Sequence, residues 1–147
     1  MKYSDLFNLE NIYLHSIGEP QENHVRFTFY RSRTNPVAES ININSTIIKG
    51  LHSISPDYTL PLIQMDFERY IGYSVLNESY TVWDDYETFE GKIFRIYSKS
   101  RYLDFLKVST IATNDFPGPF THYGIACLNH TIDIVSVSEP VIKEIEV

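Results

Sequence analysis

The sequence predicts an α+β domain, a mostly antiparallel sheet of about 6–8 strands with one main helix near residues 100–110. Three observations carry that expectation. Apolar and polar residues alternate in several separate segments, turn chemistry divides those segments, and only one stretch, after Ser100, carries apolar residues at helical spacing. An all-β sandwich or barrel with a short helix is the alternative. At 147 residues, 43% of them hydrophobic and with 11 Tyr and 9 Phe, the chain has the size and the apolar content of one domain, 1–147.

In chain order, Ile12 and Leu14 alternate with polar neighbours, as do Val25, Phe27 and Phe29 with His24, Arg26 and Thr28. The intervening Gly18-Glu19-Pro20-Gln21-Glu22-Asn23 is turn chemistry, so the two strands form an antiparallel hairpin. Ile41, Ile43 and Ile47 continue the period-two pattern as a third strand, and the segment from Ser53 to Pro61 reads as a connector. Phe67, Ile71, Tyr73 and Val75 share one parity, which predicts a long strand; Gly91 then opens Lys92–Tyr97, a β-branched and aromatic run read as a central or near-central strand.

The helix follows. Ser100 is its N-cap, Tyr102, Leu103, Phe105 and Leu106 its apolar side, and Asp104 and Lys107 its wet face. After the loop Asn114–Pro119, the run Tyr123–Val137 is too long for one ordinary strand and must bend, bulge or turn as a hairpin near Asn129. The segment from Pro140 to Val147 adds an edge strand.

The formal charge of −7, with 19 acidic residues against 12 basic and no basic run, disfavours nucleic-acid binding and suits a basic partner. One cysteine, Cys127, permits no internal disulfide, the Met1–Phe7 segment lacks the apolar core of a signal peptide, and no stretch approaches a membrane span. A cytoplasmic protein is expected. The histidines at 15, 24, 52, 122 and 130 show no metal-ligand spacing, and His122 and His130 read as surface or loop-edge residues. Cys127, among Ile125, Ala126 and Leu128, reads as buried and structural. No Gly-rich phosphate loop or serine elbow is present, so no catalytic residue, metal or cofactor is assigned.

The densest polar feature is Tyr80–Glu90, where carboxylates alternate with aromatics and no basic residue intervenes. Tyr80, Trp83 and Tyr86 with Asp84, Asp85, Glu87 and Glu90 form the candidate partner-binding set, since aromatic anchors beside acids suit a basic protein partner. The competing reading is a solvated loop whose aromatics belong to the core. Asp84 and Asp85 do not make an acid–base pair, because neighbours on an extended chain point to opposite faces. Asp66, Glu68 and Arg69 read as an ion-pair network with Lys92 or Arg95.

The segments Phe67–Tyr70, Asn77–Glu87 and Arg95–Phe105, with His122-Tyr123-Gly124 and Leu128-Asn129-His130, resemble small uncharacterised proteins of bacilli encoded near cell-surface polymorphic toxins. The resemblance implies an immunity role, in which a cytoplasmic protein blocks a toxin domain by occlusion, without turnover. The alternative is a small-ligand binder or enzyme with a pocket between sheet and helix, lined by tyrosines such as Tyr70, Tyr73, Tyr97 and Tyr102. Open strand edges also allow pairing between copies.

Overall fold

The computed structural model describes residues 1–147 and resolves twelve strands in three antiparallel sheets, where a single sheet of about 6–8 strands was expected. In chain order they are β1 (Ile12–Gln21), β2 (His24–Thr34), β3 (Glu39–Ile43), β4 (Thr46–Leu51), β5 (Ile54–Pro56) and β6 (Leu62–Phe67). Then come β7 (Tyr70–Asn77), β8 (Thr88–Gly91), β9 (Phe94–Lys99), the helix α1 (Arg101–Ser109), β10 (Thr121–Ala126), β11 (His130–Ser136) and β12 (Val141–Ile145). Short 3-10 turns cover Tyr3–Asn8 and Glu78–Tyr80.

The first sheet runs β1-β2-β6-β12, with β5 pairing the far end of β2; the second runs β7-β11-β10-β9-β8. They face each other as a sandwich. Register explains the core: Val25, Phe27 and Phe29 stand opposite Phe67, Met65 and Ile63, so all six share one buried face. Phe94, Tyr123, Ile125, Ile132 and Ile134 present the matching face of the second sheet. Phe29 meets Phe94 at 5.3 Å between ring centroids, and Phe67 meets Tyr123 at 5.2 Å, across the gap between the sheets. The first 3-10 turn inserts Tyr3 beside them, its hydroxyl donating to Gly124 O at 2.9 Å.

The strand count departs from expectation for local reasons. The predicted long strand from Phe67 to Val75 is two strands in different sheets. Its break, Glu68-Arg69, spends two residues on a turn, so the parity of the apolar positions survives it. All six residues of β6 are buried, so β6 shows no alternation to read. The predicted third strand is a hairpin, β3–β4, turning where Asn44 (φ 49°) and Ser45 (φ 68°) both adopt left-handed backbone. That hairpin pairs with no other strand and leaves Ile41, Ile43, Ile47 and Ile48 exposed. Near the C-terminal end, the run from Tyr123 to Val137 resolves as a β10–β11 hairpin.

Asp66 does not join Lys92 or Arg95, which belong to the other sheet. It binds Arg26 Nε at 2.7 Å and Gln64 Nε2 at 2.6 Å on the face of the first sheet turned away from the core. The helix α1 lies on the outer face of the second sheet, where Gly72 lets it approach. A methyl group at Gly72 would sit 2.9 Å from the Tyr102 hydroxyl and 3.1 Å from Leu106 Cδ2. The helix covers only part of that face. No helix is long and apolar enough to cross a membrane.

Candidate functional site

The uncovered part of the second sheet's outer face is the floor of a cavity of about 1010 Å³. One wall is the segment joining β7 to β8, from Glu78 to Glu87, and the opposite wall is the first turn and a half of α1, with Arg101, Tyr102 and Phe105. Strand register builds the floor. Ser74, Asp133, Gly124 and Arg95 lie in one cross-strand row, and Val135, His122 and Tyr97 lie in the next. Side chains of one row therefore point the same way, out of the sandwich.

Gly124 decides how that floor is paved. A Cβ there would fall 2.3 Å from Tyr97 Cε2, so the Tyr97 ring lies flat across the glycine and stacks on His122 at 4.3 Å between centroids. Beneath it runs a hydrogen-bond chain. Ser100 Oγ accepts the Leu103 N–H at 3.0 Å as the helix cap and is hydrogen-bonded to His122 Nδ1, 2.7 Å away. His122 Nε2 in turn donates to Asp133 Oδ1 at 2.7 Å. His122 is 1% exposed, which corrects its reading as a surface or loop-edge residue.

Serine, histidine and aspartate are the residue types of a nucleophilic triad, but the burial assigns them another task. Ser100 is 0% exposed and its oxygen is committed to the helix cap, so no substrate carbonyl can reach it. What reaches the cavity is Asp133, with 14% of its side chain exposed. It forms no ion pair with a lysine or arginine. Arg95, in its own row, is turned aside: its guanidinium donates to Lys92 O and to the Tyr97 hydroxyl and lies over the Phe89 ring. Burial raises the Tyr97 hydroxyl above its ordinary value, and burial together with the Asp133 charge pushes Tyr102 up to about 12. Both phenols stay neutral hydrogen-bonding groups at physiological pH.

The candidate partner-binding residues divide. Tyr80, Trp83, Asp84 and Glu87 line the cavity; Asp85, Tyr86 and Glu90 do not. Trp83 is 91% exposed and Tyr80 82%, so these two are a solvent-facing lip rather than core. The acids are less free than their spacing suggests. Arg101, from the start of α1, pairs with Asp84 and lies 3.9 Å from Glu87. The Tyr86 N–H and the Arg101 guanidinium hold the Asp84 carboxyl below its usual range. Tyr86 donates to Asp104, and its ring lies 4.3 Å from Lys99 Nζ and 4.8 Å from Arg101 Cζ. Fold contacts thus supply the cations that the local sequence lacks.

Of the tyrosines assigned to a pocket, Tyr97 and Tyr102 line this one. Tyr70 and Tyr73 pack on each other and against the core on the inner side of the sheet, where the Tyr70 hydroxyl donates to Glu19. Cys127 is buried, and burial pushes its thiol up to about 12, which leaves it protonated and a poor nucleophile. No three His, Cys, Asp or Glu side chains converge as a metal site would require. The sequence reading missed Asp133, although a lone carboxylate inside Thr131-Ile132-Asp133-Ile134-Val135 is a signal in itself.

Compared with known proteins, the chain matches no family model, no curated protein and no solved structure.

Proposed function

We propose that the chain is a non-catalytic protein-binding domain that takes a projecting basic segment of its partner into the cavity above the second sheet. The observation that carries the reading is the charge of the cavity lining. Glu10, Glu78, Asp84, Glu87 and Asp133 stand against Arg95 and Arg101, five acids against two bases, a balance of −3. Such a lining attracts a basic occupant and repels an acidic one. The volume, about 1010 Å³, lies at the upper end for small-molecule sites and suits a loop or a helix end. Trp83, Tyr80 and Val82, exposed at the rim, supply the apolar surface that a protein partner would cover.

In the immunity form of this reading, the occupant is a basic projection of a toxin domain, and the cytoplasmic complex blocks the toxin by occlusion. A second reading, a small cationic ligand, is favoured by the convergence of Tyr97, Tyr102 and Asp133 on one spot of the floor. The experiment is capture from a panel of toxin domains at two salt concentrations, comparing the wild type with Trp83→Ala/Tyr80→Ala. Both side chains stand in solvent, so the variant folds. Retention of a basic protein by the wild type, weakened by salt and lost in the variant, supports the reading. Equal retention by both removes the lip from the interface and contradicts it.

A further inference from the structure

We infer that Asp133 is a seat for an alkylammonium or guanidinium group, in a cavity that the rings of Tyr97 and Tyr102 also line; the inference deepens the proposed binding function and rests on the cavity being the binding site. The geometry points to a cation for three independent reasons. The first is the want of a lysine or arginine. Asp133 is mostly buried, neither residue type pairs with it, and Arg95 in the same row turns away to Lys92 O, the Tyr97 hydroxyl and Phe89. A carboxylate held in a poorly solvated floor gains by receiving a cation.

The second is its rigidity. Ser100, through His122, fixes Asp133 Oδ1 in place, and Ser100 is itself fixed by the helix cap. The carboxylate is held before the occupant arrives, so seating a cation costs little side-chain entropy. Ser100 and His122 are positioning residues in this device. The third is the aromatic flank. Tyr97 is stacked on the imidazole that holds Asp133, and the Tyr102 ring lies 5.6 Å from the same imidazole. Both phenols feel the Asp133 charge. A carboxylate beside aromatic faces is the combination that holds an organic cation, by charge and by cation–π attraction together.

Trp83 is the only tryptophan and stands at the rim of the cavity, so its emission reports an occupant directly. The probes are N-acetylated, C-amidated tripeptides Gly-Arg-Gly and Gly-Lys-Gly, the neutral citrulline isostere Gly-Cit-Gly, and free butylguanidinium. The expected result is a saturable Trp83 change with the arginine or lysine peptide and none with citrulline. Asp133→Asn should weaken the charged peptide by about tenfold or more, while the exposed Glu68→Gln leaves it unchanged. Amide shifts at Tyr97, Gly124 and Asp133 on titrating the wild type give the same answer without a variant. If butylguanidinium binds as well as the peptide, the site serves a small cation; if the peptide alone binds, it serves a protein segment. Equal binding of arginine and citrulline peptides, unaffected by Asp133→Asn, overturns the seat and leaves the cavity as the binding site. Absence of any Trp83 or amide response to every probe overturns both.

Discussion

Adding a single methyl group at Gly124 should destabilise the protein only while Tyr97 is present. The Cβ would lie 2.3 Å from Tyr97 Cε2 and 3.2 Å from Cδ2, and the three nearest heavy atoms all belong to that ring. The ring cannot retreat at no cost, because it stacks on the buried His122 and its hydroxyl accepts from Arg95. Forcing it off should cost about 1–3 kcal/mol, the usual range for overpacking. In a Tyr97→Ala background the clash is gone, and replacing a strand glycine should instead gain about 0.5–1 kcal/mol from the reduced backbone entropy of the unfolded chain. The sign of Gly124→Ala thus reverses between backgrounds, with a coupling of at least ~1.5 kcal/mol. Urea denaturation of the four proteins in this cycle measures it. An equal cost in both backgrounds would refute the claim that Tyr97 lies across the glycine and paves the cavity floor.

Four further outcomes follow from the same structure. Desolvation raises the Asp66 carboxyl, but its bonds to Arg26 and Gln64 outweigh this and leave its value below the ordinary 3.8; its stabilisation is therefore present above about pH 4 and lost as pH falls through the lowered folded value. Asp66→Asn should cost about 1–3 kcal/mol at pH 7 in urea melts, with the gap closing below pH 4. Ser100→Ala removes the cap and leaves His122 Nδ1 without its hydrogen-bond partner, for a loss of about 2 kcal/mol against less than ~0.5 for Ser98→Ala. Cys127 should react with a thiol reagent at least about a hundredfold more slowly in the native protein than in urea. Ile47→Ser, on a hairpin that packs on neither sheet, should change stability by less than ~0.5 kcal/mol, whereas Phe27→Ala should cost about 3–5 kcal/mol.

The legible parts of the fold were those where polarity alternates with the two faces. In β2, Val25, Phe27 and Phe29 face the core while the polar His24, Arg26 and Thr28 take the other face, so the pattern shows in the sequence. The cap at Ser100 was legible because capping is a local interaction. The strand β6 was not, since burial on both faces erases alternation, and neither was the turn at Glu68-Arg69, whose two residues leave parity intact. The site was half legible. Trp83 and Tyr80 stood out because aromatics amid acids are conspicuous, and two of the four named tyrosines reach the cavity. The floor was hidden because Ser100, His122 and Asp133 come from α1, β10 and β11, and only strand register brings them together. Arg101 was hidden for the same reason: 17 residues separate it from the Asp84 it neutralises.

The most direct test of the binding site is a photo-crosslinker, p-benzoylphenylalanine, placed at the position of Phe105 inside the cavity or at that of Ile47 on the free hairpin. Each version is irradiated in complex with the basic protein that the wild type retains. The cavity reading predicts a covalent adduct from position 105, suppressed by excess arginine peptide, and none from position 47. An adduct from position 47 with none from 105 would place the interface on the hairpin and contradict it.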